Sequence, residues 1–194
     1  DDTGARNGGA VRIFASPLAG ERTLVDARWT ILGPRRNDVL GDSFADVGDV
    51  DGDGRTDLLV GHRKGGEDQA GAAHLFLTLP AMGTVDDADV IGTGSRPDDW
   101  AGERVAAAGD LDGDGYADLL VGAPRASGEA PAPGAPTGEV YVVHGGPDLA
   151  GGPLAEARAV LRGDRVFDQA GRSLIGGQDL DGDGVPDVAL GVAG

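Results

Sequence analysis

Asp110-Leu-Asp112-Gly-Asp114-Gly-Tyr-Ala-Asp118 is the stretch that decides how this chain is read. The same nine-residue pattern stands at Asp49-Val-Asp51-Gly-Asp53-Gly-Arg-Thr-Asp57 and at Asp179-Leu-Asp181-Gly-Asp183-Gly-Val-Pro-Asp187. Carboxylates fall at positions one, three, five and nine of every copy, with glycine at four and six. Four anionic side chains this close together repel one another unless a cation sits among them. A hard cation uses that many oxygens at once, and Ca²⁺ takes about six to eight in a flexible shell. The glycines allow tight turning at φ values other residues avoid. The backbone carbonyl at position seven (Arg55, Tyr116 or Val185) then points inward. Acidic surface turns are the plain alternative, since Asp and Gly are common turn formers. Three copies with the same four positions weigh against it, so three Ca²⁺ are expected per chain.

Composition agrees. Three copies of four carboxylates account for 12 of the 33 acidic residues, leaving 21 acids against 16 bases. Most of the formal charge of −17 is thus ligand acidity, and three dications would bring it to −11. No basic patch supplies phosphate contacts, which disfavours a nucleic-acid partner. Hydrophobic residues make up 40%, aromatics only 4%, and there are 36 glycines, a mix that suits short strands and many turns. There is no cysteine and no apolar run of membrane-spanning length. No signal peptide opens the sequence, so residue 1 reads as the start of a mature or trimmed chain.

The motif recurs with periods of 61 and 69 residues, and its surroundings recur in phase. Gly41, Gly102 and Gly171 precede each copy by eight residues, and Phe44, Val105 and Leu174 follow those glycines by three. Apolar runs closed by glycine follow at 58–61, 119–122 and 188–191. They are too short for helices and read as buried strands. Third strands are expected at 10–15, 72–77 and 139–144, and fourth strands at 27–32, 88–91 and 157–161. Each repeat is therefore four short strands, A to D, with the acidic loop joining A to B. The Ala-, Gly- and Pro-rich stretch 126–137 reads as an exposed loop between strands B and C. Residues 154–159 are the one place where a turn of helix is expected.

Gly102-Glu-Arg-Val, Asp110–Asp118 and Leu119-Leu-Val-Gly-Ala-Pro124 together resemble an FG-GAP repeat, the blade unit of the integrin α-subunit β-propeller and of its bacterial relatives. The resemblance covers essentially the whole chain. The Phe of "FG" is replaced by Leu40, Ala101 and Ala170, and "GAP" survives only at Gly122-Ala123-Pro124. The resemblance implies an all-β propeller of four-stranded antiparallel blades. It implies one structural Ca²⁺ on Asp49, Asp51, Asp53, Asp57 and the Arg55 carbonyl. A second would sit on Asp110, Asp112, Asp114, Asp118 and the Tyr116 carbonyl, and a third on Asp179, Asp181, Asp183, Asp187 and the Val185 carbonyl. An EF-hand needs a bidentate Glu at position twelve, where this chain has Val60, Val121 and Leu190. Nonapeptide β-helix arrays repeat far more tightly.

The blade phase divides the single region 1–194 into strands C–D of a shared blade (1–40), two whole blades (41–101 and 102–170), and strands A–B of a shared blade (171–194). About three blades per chain are too few for a ring of about four to eight. The expectation is a homodimer forming a six-bladed ring with two shared blades, the rival being part of a longer propeller. The metal loops lie on one face. The B–C and D–A loops lie on the other, where a protein or glycan ligand is expected. On that face, Asp38, Asp99 and Asp168 read as Asx-turn residues, and Trp100 reads as blade packing in preference to a sugar-stacking platform.

His62, His74 and His144 do not stand at metal spacing and read as structural or exposed. No serine has a G-x-S-x-G context, and no glycine-rich loop has a strand–loop–helix setting. The expected function is a calcium-binding, non-enzymatic scaffold of binding or adhesion type. The alternative is a secreted carbohydrate- or ester-acting enzyme, or its accessory domain. Extracellular Ca²⁺ modules bind with Kd on the order of 10⁻⁴–10⁻³ M, so a secreted or cell-surface location is expected.

Overall fold

Apolar runs of four to six residues bounded by glycine cannot nucleate a stable helix, so their backbone groups are satisfied between strands. The computed structural model describes residues 8–128 and 135–193. Its strands in chain order are β1 (Ala10–Ile13), β2 (Trp29–Leu32), β3 (Phe44–Asp46), β4 (Leu58–His62), β5 (Ala72–Phe76), β6 (Met82–Thr84), β7 (Val90–Thr93), β8 (Arg104–Gly109), β9 (Asp118–Ala123), β10 (Glu139–Val143), β11 (Gly152–Pro153), β12 (Ala159–Arg162), β13 (Ser173–Gln178) and β14 (Asp187–Gly191). Among the described residues the only helical segments are four three-residue 3₁₀ turns. One of them, Leu154–Glu156, is the turn expected at 154–159. The chain is all-β.

Two complete sheets occupy the middle of the chain, and both are antiparallel in the order A, B, C, D. They are β3-β4-β5-β7 and β8-β9-β10-β12. Before them comes the pair β1-β2, after them the pair β13-β14. Residues 129–134 of the expected B–C loop lie outside the described residues. On either side of them the loop is tied down, with Thr137 and Gly138 N–H both donating to the Ala126 carbonyl at 3.2 and 3.0 Å.

Three apolar clusters fill the seams between successive sheets. Val11, Ile31 and Leu40 meet Val60, Phe76 and Val85 in the first seam. Leu59, Leu75 and Val105 meet Leu119, Val121 and Tyr141 in the second. Leu120, Val140 and Val142 meet Leu174, Val188 and Leu190 in the third. The glycine eight residues before each motif makes this approach feasible. Gly102 sits at φ +80°, and a Cβ there would lie 2.1 Å from the carbonyl oxygen of Ala72 in the preceding sheet. The eroded "FG" position just before it is fully buried as Leu40, Ala101 and Ala170.

The connection from strand C to strand D does more than turn the chain. In the second sheet's connection, β6 pairs in parallel with β2 of the first sheet, Thr84 opposite Leu32. In the third, β11 pairs in parallel with β7, Pro153 opposite Thr93. Each is followed by a 3₁₀ turn whose first residue, Val85 or Leu154, is buried in the seam. Thr84 and Asp87 close a capping box on the first of these turns, with Thr84 N–H donating to Asp87 Oδ2 at 2.7 Å. Each sheet thus covers the outer edge of its predecessor, which protects strand D from stray pairing. The corresponding turn in the first connection, Leu24–Asp26, leaves Leu24 64% and Val25 87% exposed.

Polar side chains also enter the first seam. His62 and His74 are 3% and 5% exposed, with Nδ1 of the first 3.4 Å from Nε2 of the second. His62 Nε2 lies 3.6 Å from Asp38 Oδ2. Burial pushes His74 down to about 4, helped by the neighbouring His62 and opposed by a backbone hydrogen bond with Val85. Burial likewise lowers His62, against the pull of Asp38; Arg35 lowers it further and Asp86 raises it.

Leu154→Ala should remove a seam anchor and cost about 2–5 kcal/mol of stability, measured as a lower urea midpoint. The histidine pair predicts a pH effect of definite sign. Both folded pKa values lie below the unfolded value of about 6.5, so below that pH the unfolded chain binds more protons. Stability is fully present above that pH and is lost as pH falls from about 6.5 toward 4. Replacing His74 by Leu should flatten this part of the wild-type denaturation profile; an unchanged slope in the variant would refute the assignment.

Candidate metal centre

Each acidic loop is the A–B connection of one strand pair and is built from the motif's own backbone. Positive φ at positions four and six turns N–H groups inward: Gly52 is at +84°, Gly54 at +84°, Gly113 at +77° and Gly115 at +93°. In the first loop Asp49 Oδ1 accepts from Gly52 N–H at 2.7 Å, and its Oδ2 from Gly54 N–H at 2.9 Å. Asp51 accepts from Asp53 N–H at 3.0 Å, and Asp53 from Arg55 N–H at 2.8 Å. Asp57 Oδ2 accepts from Val50 N–H at 2.8 Å and so closes the loop on itself.

The second and third loops repeat this pattern. Asp110 accepts from Gly113 and Gly115, Asp112 from Asp114, Asp114 from Tyr116, and Asp118 from Leu111. Asp179 accepts from Gly182 and Gly184, Asp181 from Asp183, Asp183 from Val185, and Asp187 from Leu180. Arg55, Tyr116 and Val185 therefore all stand in the loops, with their N–H groups on the fifth-position carboxylates.

The carboxylates converge. Ligand oxygens of Asp49, Asp51 and Asp53 lie within 4.8 Å of one another, as do those of Asp110, Asp112 and Asp114, and those of Asp179, Asp181 and Asp187. The ninth-position residues of the first two loops stand at the head of strand B and are buried. Asp57 is 2% exposed, and its Oδ1 has no hydrogen-bond partner. Burial raises its pKa above the usual carboxylate range, the Val50 hydrogen bond opposes this, and the charges of Asp51, Asp53 and Asp49 raise it further. Burial raises Asp118 in the same way. A buried, unpartnered carboxylate oxygen beside three more carboxylates fits a hard dication, which would satisfy the oxygen and cancel the repulsion together.

Successive loops are joined. Ala117 N–H donates to the Asp49 carbonyl at 2.9 Å, and Gly146 N–H to that of Val50 at 2.8 Å. The second loop's Tyr116 lies over the first loop's Gly52, where a Cβ would come within 2.6 Å of its ring. The second loop also gains a neighbour that spacing did not reveal. His144, following β10, places Nδ1 2.5 Å from Asp112 Oδ2. That hydrogen bond is the first cause holding Asp112 below the ordinary carboxylate range. His144 is 26 residues beyond Asp118 in sequence, and only the register of β9 against β10 brings the two together.

At the opposite end of the sheets Asp38, Asp99 and Asp168 accept N–H from Arg35, Arg96 and Arg165, three residues back, at 2.6, 3.0 and 2.8 Å, so each closes a local turn, but not the Asx-turn expected for it, whose bond runs two residues forward. Burial pushes Asp99 up to about 6. The ring of Trp100 carries two guanidinium groups, Arg125 at 4.3 Å and Arg63 at 5.1 Å from its centroid.

The FG-GAP repeat model matches residues 101–143, and the FG-GAP-like repeat model matches residues 49–121. The chain is 31% identical over 177 residues to integrin alpha-PS2 of Drosophila melanogaster, covering 84% of this chain and 12% of the relative. It is 34% identical over 164 residues to integrin alpha pat-2 of Caenorhabditis elegans, covering 75% and 12%. It is 33% identical over 191 residues to integrin alpha-X of Mus musculus, covering 96% and 15%. The chain thus spans less than a sixth of the length of these relatives.

The loop geometry makes two glycines at the same motif position unequal. Gly113→Ala meets nothing within 4 Å and should cost only backbone strain, about 1–2 kcal/mol. Gly52→Ala adds the collision with Tyr116 and should cost more, read as the difference between their denaturation midpoints in metal-free buffer.

Proposed function

Because this chain carries FG-GAP repeats of the kind that integrin α subunits contain, we propose that it is a calcium-stapled β-propeller region serving as a non-catalytic scaffold for binding and adhesion. The observation that carries the proposal is the recurrence of one loop three times, with the same N–H cradle and, in the first loop, a buried Asp57 oxygen lacking a partner. One Ca²⁺ per loop ties strand A to strand B and neutralises the four carboxylates of that loop. The donors are Asp49, Asp51, Asp53, Asp57 and the Arg55 carbonyl in the first loop. Asp110, Asp112, Asp114, Asp118 and the Tyr116 carbonyl follow in the second. Asp179, Asp181, Asp183, Asp187 and the Val185 carbonyl complete the third. Affinity of the extracellular class suits a secreted or cell-surface protein. A protein or glycan ligand is proposed on the face opposite these loops.

The same reading completes the ring with a second copy. β1 pairs only with β2, and β14 only with β13, among the described residues. These free edges match strand C and strand B of one blade. Leu24 is exposed where its counterparts in later repeats, Val85 and Leu154, are buried against a preceding sheet, and Val25 beside it is exposed as well. A shared blade would cover both features, and a monomer by sedimentation equilibrium in saturating Ca²⁺ would refute this part of the proposal.

Metal removal tests the staple. With Kd near 10⁻⁴–10⁻³ M, about 10 mM Ca²⁺ stabilises the fold by roughly 1.4–2.7 kcal/mol per site. Chelation should therefore lower Tm by several degrees, reversibly on adding Ca²⁺ back. A melting curve indifferent to chelator would show that the carboxylate loops are not metal staples.

A further inference from the structure

The seams between sheets are built from corresponding positions, yet they are not equally filled. Gly9, Gly71 and Gly138, just before each strand C, bridge to Leu40, Ala101 and Ala170 and so fix which residues correspond. Two residues beyond the first two glycines, Val11 stands opposite Ile31 and Ala73 opposite Gly92. Two residues further, Ile13 stands opposite Trp29 and Leu75 opposite Val90. On the facing sheets, Phe76 at the first seam corresponds to Val143 at the second, each five residues after its glycine. Ala73, Gly92, Val90 and Val143 thus stand in the second seam where the corresponding places of the first hold Val11, Ile31, Trp29 and Phe76.

The first seam closes on its larger side chains, and Val11, Ile31 and Phe76 are all buried. In the second, the smaller ones leave a hollow of about 300 Å³. Leu59, Leu75 and Val90 line it from one sheet, Leu119, Val121 and Val143 from the next, and the connection 149–154 lies along a third side. Leu154 takes up part of the space beside Gly92, where a Cβ would come within 2.8 Å of its Cδ2. Leu59, Leu75, Leu119 and Val121 are buried, whereas Val90, Gly92 and Val143 are half-buried, so the hollow has a mouth. Glu156 supplies the one polar side chain of the lining, and it is exposed. Protein interiors hold few voids larger than a water molecule. Water entering this one meets apolar walls and lacks the polar partners that hold buried water in place.

We propose that this hollow is a binding site for a small uncharged apolar molecule, of the size of one aromatic ring or a short alkyl chain. An apolar hollow of about 150 Å³ stays dry and takes benzene, and small-molecule sites begin at roughly 300 Å³. Binding withdraws apolar surface of ligand and walls from water together. It also restores the dispersion contacts that the smaller side chains forgo. None of the lining residues is a carboxylate of the three acidic loops, so the site goes beyond the scaffold reading and is independent of the metal.

The test adds toluene to the 194-residue chain in CaCl₂ buffer and follows both Tm and the side-chain methyl resonances. Tm should rise with toluene concentration, as for any ligand that binds only the folded state. Methyl groups of Leu75, Leu119 and Val143 should show intermolecular NOEs to the toluene ring, while those of Val11 and Ile31 in the filled first seam should show none. Val143→Phe, which installs the residue found at position 76, should fill the hollow and abolish the toluene-dependent rise in Tm. An equal rise in wild type and Val143→Phe would overturn the proposal. So would a wild-type spectrum at toluene saturation without NOEs to Leu75, Leu119 and Val143, a measurement that needs no variant.

Discussion

Mutual repulsion among four carboxylates in nine residues is the constraint around which the rest of this chain is built. The backbone answers part of it. Asp49, Asp110 and Asp179 each take two glycine N–H groups, and those groups point inward only because positions four and six adopt positive φ. A side chain at either glycine would be strained there. These bonds satisfy lone pairs without cancelling charge. The upward displacement of Asp57 by burial and by its three acidic neighbours is the residue of that imbalance. A bound cation would relieve it without changing the fold.

The loops act beyond their own hairpins because each leans on the next. Ala117 and Gly146 donate to carbonyls of the first loop, and Pro186 of the third packs against Gly109 at the start of the second. The seam beneath is apolar, and it closes only because Gly102 and Gly61 let two backbones approach within the space a methyl group would fill. Ordering one loop therefore orders the edge of the neighbouring sheet. The C–D connections complete the coupling from the other side, since β6 and β11 are hydrogen-bonded to the preceding sheet and not to their own.

Much of this was legible in the sequence, for reasons that particular residues make plain. The motif announces the loops because a functional spacing of 1, 3, 5 and 9 is local. Strand B announces itself through a short apolar run ended by glycine and strand C through a second apolar run after it, and β4, β5, β9 and β10 fall where those runs lie. The parallel strands β6 and β11 were not foreseen. They are two or three residues long and include Gly83, Gly152 and Pro153, which carry no strand pattern. Their existence depends on a neighbouring edge that the local sequence does not describe. His144 was read as structural or exposed for the same reason. Its relation to Asp112 is a matter of register, not of spacing.

Repetition and divergence do different work here. The hydrogen-bond pattern within the loops is the same in all three copies, so the backbone of the site is fixed by residues inside the motif. What varies lies at position two, as Val50, Leu111 or Leu180, at position seven, as Arg55, Tyr116 or Val185, at position eight, as Thr56, Ala117 or Pro186, and on the adjacent strand, as Leu77 or His144. Position seven exchanges freely because its backbone serves the loop and its side chain serves the neighbour, as Tyr116 does over Gly52. The adjacent strand is freer still, since its pairing with strand B is made by backbone groups. A donor can therefore be added beside a loop by a single substitution at the end of strand C, with the cradle beneath it undisturbed. Chemical individuality in such a repeat accordingly enters at the motif positions whose side chains leave the cradle untouched, as Tyr116 does, and from the neighbouring strand, as His144 does.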